Sequence, residues 1–270
     1  MSTTISANQV KELRDQTGAG MMDCKRALQE TGGDLEAART LLRERGMASA
    51  GKRAGRATSE GMVGYIVEGL VGSIAGIGCE TEPVSKNEEL QTFAERIMRA
   101  VHAEGPGAVE RFEEERLQLV AKLGENIVVI GAERFDAPAG NIVAAYTHPP
   151  ANKIGVLVEL QGGSPELARQ VAMHISFAAP EWGTRDEVPA EIVEAERAIF
   201  LNSDEVQSKP EAAREKIVDG MLGKRFFAAT PGGVLADQAW IHDASKSVAE
   251  ALEEANASVV RFARVSVSGS

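Results

Sequence analysis

The sequence predicts an α+β protein: a small N-terminal three-helix module, then a core of two related α+β subdomains, the second carrying an inserted antiparallel helical hairpin. Three observations predict it. Apolar residues recur at helical spacing between closely set glycines over residues 1–46. Further on, strand, turn, strand, loop and helix occur in that order twice, roughly 80 residues apart. A long helical pattern over 189–224, broken once at Ser208-Lys209-Pro210, interrupts the second copy.

The module has a start and a stop for each helix. Ser6-Ala7-Asn8-Gln9 is a capping box: the Ser6 hydroxyl accepts from an early helical N–H and Gln9 reaches back. Ile5 and Val10 stand at the hydrophobic-staple positions around it. Val10, Leu13 and Thr17 share a face, and Gly18 stops the helix. A second helix begins near Gly20, with Met21, Cys24 and Leu28 in register, and Gly32-Gly33 ends it. Asp34 caps a third, with Leu35, Ala38, Leu41 and Leu42 as its buried stripe; Arg43 and Arg45 complement the C-terminal dipole before Gly46. Isolated helices below about 12–15 residues are marginal, so these three must pack on one another.

Residues 47–61 are small, polar and basic, with Lys52, Arg53 and Arg56, and read as a linker with some helical character. The first core subdomain is expected over 62–140. Met62 to Glu80 supplies two strand-rich stretches turning at Glu68-Gly69, and Leu90, Phe93, Ala94, Ile97 and Met98 stripe the helix that follows. A charged helix from Val109 to Leu123 and a strand from Asn126 to Ile130 close it. The second subdomain is expected over 141–270. Strands on either side of Pro149-Pro150 lead to a helix striped by Leu167, Val171, Ala172 and Ile175. In the hairpin, Ile192, Ala195, Ile199 and Phe200 stripe one helix, and Ala213, Ile217, Val218 and Met221 the other. A helix over Ser247–Asn256 and a strand over Ser258–Val267 finish the chain.

Composition narrows the function classes. The chain has 270 residues, 43% hydrophobic and 26% charged, which suits a globular core. Aromatic residues are only 4%, so aliphatic side chains and alanine must fill that core. The net charge of −11 disfavours direct binding of nucleic acid or anionic lipid, both polyanions. Cys24 and Cys79 lie in different segments without a CxxC pair, as in a reduced cytoplasmic protein with buried thiols. The N-terminus lacks a basic region followed by an apolar stretch, and the longest apolar runs, such as 127–130, fall far short of the roughly 20 residues a membrane span needs.

Catalytic patterns are missing. Gly46 to Lys52 matches G-x-x-x-x-G-K, but Arg53 replaces the magnesium-binding Ser/Thr, and the stretch follows a helix where a phosphate loop follows a strand. His102, His148, His174 and His242 show no zinc-ligand spacing, and no G-x-S-x-G elbow occurs. Neither a catalytic residue, a metal ligand nor a cofactor is therefore expected. One loop stands out: Cys79 to Asn87 joins a strand end to a helix start, a good position for touching a partner. A plain structural reading stands beside it, in which Pro83 sets the turn and Ser85 with Glu88 forms a capping box.

With these segments in place, the chain resembles the translation elongation factor Ts family, the nucleotide exchange factors of elongation factor Tu. Residues 17–28, reading TGAGMMDCKRAL, look like the family's N-terminal signature, and Gly33–Ala38 its Gly-Asp-x-x-x-Ala stretch. Glu80 to Asn87, ETEPVSKN, sits where the family carries E-T-D-F-V-x-x-N. Gly124-Glu-Asn-Ile127 matches a GENI-type segment. Tyr146-x-His148 with 153–158, Ala172–Ile175, and Lys209–Glu211 with Lys216–Gly220 complete the series.

The resemblance implies that the opening module is similar to a ubiquitin-associated domain, with Met21, Met22 and Lys25 at positions that dock on the GTPase. It implies that Thr81, Glu82, Pro83 and Val84 enter near the partner's magnesium site and disturb it, so that GDP leaves and GTP rebinds. Gly124, His148 and Val234 match further partner contacts. This chain departs from the family at Glu82-Pro83, where Asp-Phe is usual. Glu keeps the carboxylate one methylene farther out; Pro is smaller than Phe, fixed in φ and without an N–H. Gly131-Ala132-Glu133 also stands where the family often has an Arg pair. Two readings follow: an exchange factor, or a GTPase-binding scaffold of the same family with weak or no exchange activity.

Overall fold

A computed structural model describes residues 5–267, apart from the side chains of 47–50 and 52. The chain opens with α1 (Ala7–Thr17), α2 (Met21–Glu30) and α3 (Leu35–Arg53). Then come β1 (Glu60–Glu68), β2 (Val71–Cys79), α4 (Glu82–Ser85), α5 (Glu88–Glu104), a 3-10 segment at Pro106–Phe112, and α6 (Glu113–Leu123). β3 (Val128–Asp136), β4 (Asn141–Thr147), β5 (Ile154–Gly162) and α7 (Pro165–Ala178) follow. The hairpin is α8 (Ala190–Leu201), α9 (Asp204–Gln207) and α10 (Glu211–Met221), extended by a π-helical turn at Leu222–Phe227. α11 (Val248–Glu254) and β6 (Ala257–Ser266) close the described chain.

The module forms for the local reasons its sequence gives. The Ser6 hydroxyl accepts from the Gln9 amide, and the Gln9 side chain accepts from the Ser6 amide at 3.0 Å. Gly18 takes the left-handed conformation at φ 66°, and its N–H donates to the Arg14 carbonyl. Asp34 Oδ1 accepts from the Ala37 amide at 3.0 Å and starts α3. The three helices enclose Val10, Leu13, Cys24, Ala27, Leu28 and Ala38, with Ile5, Leu35, Leu41 and Leu42 around them.

The third helix does not stop at Gly46, and most of the expected linker's first half is helical. α3 continues to Arg53, and only 54–59 lies outside helix and strand before β1. Gly46 sits within α3 where α6 packs beside it: a Cβ there would stand 2.7 Å from the Ala121 Cβ. The glycine serves close helix approach, not termination.

The two halves of the core match in plan. Each is an antiparallel three-stranded sheet, in the orders β1-β2-β3 and β4-β5-β6, so a third strand closes each copy beside the second. β4 and β5 pair from Asn141↔Gln161 to Thr147↔Gly155. By contact density the described residues form two units: 5–64 with 75–133 and 266–267, and 65–74 with 134–265. The tip of the β1–β2 hairpin thus belongs to the second unit. There Gly72 lets the backbone approach closely, since a Cβ would collide with Val143 and stand 2.8 Å from Leu157 Cδ1.

In the second unit, Val156, Val158 and Leu160 of β5 pack on Ala168, Val171, Ala172 and Ile175 of α7. The hairpin has a core of its own around Val206, Val218, Met221, Leu222 and Phe227, and Arg197 of α8 bridges to Asp219 of α10 at 2.8 Å. No helix among the described residues is long and apolar enough to cross a membrane.

Candidate functional site

The stretch after β2 is not a plain loop. Residues 82–85 form the single turn α4, with Pro83 in its first turn, where a missing N–H costs nothing. Thr81, Glu82 and Pro83 are exposed, Val84 is half-buried and Ser85 is buried. The expected Ser85–Glu88 capping box is not made. Ser85 Oγ donates to the Glu82 carbonyl at 2.7 Å, and Asn87, in extended conformation, caps α5 by accepting from the Glu89 and Leu90 amides. The added turn moves the helix start two residues on. Lys86 Nζ binds Glu82 Oε1 at 2.7 Å, and this hydrogen bond with the carboxylate charge holds the Lys86 ammonium above its ordinary pKa. Both groups are exposed, so the pair is weak and readily exchanged for another partner.

The turn is held from beneath by the segment after α6. Glu125 Oε2 accepts from the Glu80 and Thr81 amides, each at 3.0 Å, and Glu125 Oε1 accepts from Thr81 Oγ1 at 2.5 Å. In return, Glu80 Oε1 accepts from the Asn126 amide at 2.7 Å. The Asn126 side chain is buried and donates to the Arg56 carbonyl at 2.8 Å. The buried Cys79 thiol, outside any disulfide, donates to the Thr81 carbonyl at 3.4 Å. The bonds of Glu125 and of Glu80 to Asn126 span 44–46 positions of the chain, so no local pattern announces them.

The same corner meets the module. Lys122 Nζ binds Glu89 Oε1 at 2.7 Å, and its methylenes lie where a Cβ on Gly18 would stand. On α2, Cys24, Ala27 and Leu28 face inward, and burial pushes the Cys24 thiol up in pKa. Met21 and Met22 stay 57% and 65% exposed, and Lys25 is exposed beside them. Two bare methionines next to a cation are unusual on a solvated helix and suit an adaptable contact surface.

The remaining candidates divide. Gly124 is the left-handed C-cap of α6 at φ 77°, with its N–H on the Val120 carbonyl. His148 is exposed at the end of β4, and its Nδ1 is 3.1 Å from the Tyr146 hydroxyl. Val234 is fully buried in the hairpin core and presents no side chain to solvent. The first unit holds Met21, Met22, Lys25, Thr81–Val84 and Gly124; the second holds His148 and Val234. Among the described residues no group of three or more His, Cys, Asp or Glu converges as a metal site would.

The family profile described as Elongation factor TS matches residues 80–269, beginning one residue before the exposed turn. The elongation factor Ts of Thioalkalivibrio sulfidiphilus is 40% identical over 98% of this chain and 92% of its own length. That of Alkalilimnicola ehrlichii is also 40% identical, over 97% and 92%, and that of Klebsiella pneumoniae 39%, over 97% and 91%. A helical module on a duplicated α+β core, with these relatives, defines a translation elongation factor. The chain belongs to the elongation factor Ts family.

Proposed function

We propose that this protein binds elongation factor Tu in its GDP form, disturbs the magnesium site and promotes GDP release and exchange for GTP. The observation that carries this reading is the one-turn element Thr81–Val84, exposed at its tip yet clasped at its base. Residues 1–46 act as the anchor through Met21, Met22 and Lys25, and the core carries the turn. The mechanism is linkage: a partner that binds the nucleotide-free GTPase better than the GDP form weakens GDP binding by the same factor. When the turn displaces groups around the magnesium ion, the phosphates lose charge compensation and GDP departs. The protein performs no bond chemistry and needs no cofactor of its own. It works in the cytoplasm on a protein partner, without direct nucleic acid or membrane contact, in keeping with its charge of −11.

A second reading has one specific observation behind it. Pro83 stands exposed at the tip, with no aromatic ring to insert. On that reading the protein binds the GTPase as a scaffold and exchanges nucleotide weakly or not at all. Stopped-flow release of fluorescent GDP from the cognate elongation factor Tu, across magnesium concentrations, separates the two. Faster release at saturation supports exchange; tight binding without acceleration supports the scaffold. Under the exchange reading, Pro83→Phe changes the saturating rate, and an unchanged rate removes residue 83 from the mechanism.

A further inference from the structure

We propose that Glu125 is the positioning residue of the exchange turn, fixing Thr81–Val84 in the pose that acts on the partner; this rests on the exchange reading above. A four-residue helix has no stability of its own, being far below the length at which helices persist in water. α4 also lacks the usual self-made start: its N-cap Thr81 makes no side-chain cap bond. The Thr81 hydroxyl turns away and donates to Glu125. The turn is therefore held by a residue from outside it.

Glu125 is dedicated to that task. Among the described residues, every hydrogen bond it accepts comes from Glu80 or Thr81: two consecutive amides on Oε2 and one hydroxyl on Oε1. Acceptance by an ionised group makes these the strong kind of hydrogen bond. Glu80 completes the arrangement in the opposite sense, its carboxylate taking the Asn126 amide at 2.7 Å, so that two adjacent acidic residues each face N–H donors rather than each other. Glu125 also follows Lys122 by three residues, past the end of α6, and Lys122 lies against Gly18 of the module and binds Glu89 at the start of α5. The segment 122–126 thus joins the docking module to the turn, and Glu125 is its contact with the working residues. Because residues 80 and 81 lie at the surface side of the first unit, water replaces Glu125 as acceptor if it is neutralised. The fold survives and the pose loosens.

The experiment uses the full chain and the cognate elongation factor Tu loaded with fluorescent GDP, and separates the saturating release rate from the half-saturating concentration. Glu125→Gln is expected to lower the saturating rate about tenfold while the half-saturating concentration, set by the anchor, stays within about twofold. Amide hydrogen exchange of the isolated protein is expected to quicken at Glu80 and Thr81 and nowhere in α5. If the wild-type protein accelerates release and Glu125→Gln saturates at the same rate, the positioning role is overturned and the exchange reading stands. If the wild-type protein does not accelerate release, the exchange reading falls and this inference with it. Should Glu125→Gln unfold, Thr81→Val removes only the hydroxyl donor. It must lower the saturating rate in the same sense, and a wild-type rate would overturn the role equally.

Discussion

Arg261→Met tests how the second unit is held together. Glu159, on the central strand β5, is 1% exposed, a place where a carboxylate is costly without partners. It has two: Asn141 Nδ2 at 2.7 Å and Arg261 Nε at 2.7 Å. The Arg261 guanidinium also lies 4.4 Å from the Phe135 ring centre and donates to the Asp136 carbonyl at 3.2 Å. Removing one partner of a buried pair costs about 3–5 kcal/mol, because the other charge is left without compensation. Arg261 is 44% exposed, so water reaches Glu159 from that side and the low end, about 3 kcal/mol, applies. Loss of the ring contact adds roughly 0.5–1 kcal/mol. For a unit of this size the sum lowers the melting temperature by roughly 10 °C. Both tryptophans, Trp182 and Trp240, lie in the second unit, so the temperature dependence of tryptophan fluorescence reads it directly. Glu159→Gln in the Arg261→Met background should recover about half the loss, since a neutral amide still meets Asn141 and leaves no charge behind. A drop below about 3 °C, or strict additivity of the two substitutions, would refute the uncompensated-charge account.

Two further outcomes follow. Met21→Ala with Met22→Ala should raise the half-saturating concentration in GDP release about tenfold and leave the saturating rate and melting temperature alone, because both side chains are exposed and support no core; a fall in the saturating rate instead would move them from anchoring to exchange. His174 is fully buried, stacked on Trp240 with Nε2 3.0 Å from Gln238 Oε1, and burial pulls its pKa below the ordinary 6.5, aided by His242 and opposed by the Gln238 hydrogen bond. The unfolded chain therefore binds the proton first as pH falls: this contribution is complete above about 6.5 and is lost below it, at up to about 1.4 kcal/mol per pH unit. Tryptophan-detected melting should drop between pH 7 and 5, and less so in His174→Gln; equal slopes in both proteins would exclude His174 as the source.

Much of the architecture is legible locally. Ser6–Gln9, Gly18 and Asp34 act within four residues of themselves, so their capping roles follow from residue type and spacing alone. The repeated order of strand, turn, strand and helix is likewise a matter of period, and both sheets obey it. The exposure of Met22 follows too, but Met21, in register with Cys24 and Leu28 by spacing, is 57% exposed, because at the first position of α2 it lies outside the packed stripe of Cys24, Ala27 and Leu28. Ambiguity begins where one residue type serves two purposes. A glycine after a helical stripe reads as a stop, and Gly46 would be one had α6 not packed against it. Ser85 and Asn87 are both good caps, and the choice fell to Asn87 only because α4 inserts a turn ahead of it.

The sequence by itself determined the helical module, the α+β class, the duplication and the place of the exposed turn, all consequences of hydrogen bonds and periodicity over a few residues. Tertiary structure alone decided what holds that turn and that core. Glu125 reaches Thr81 across 44 positions and Arg261 reaches Glu159 across 102. Val234, a matched contact position in sequence, became core. A carboxylate's worth depends on which N–H groups or guanidinium the fold brings to it, and a valine's on what packs over it. Those neighbours are distant in sequence, so their effect exists only after the chain has folded.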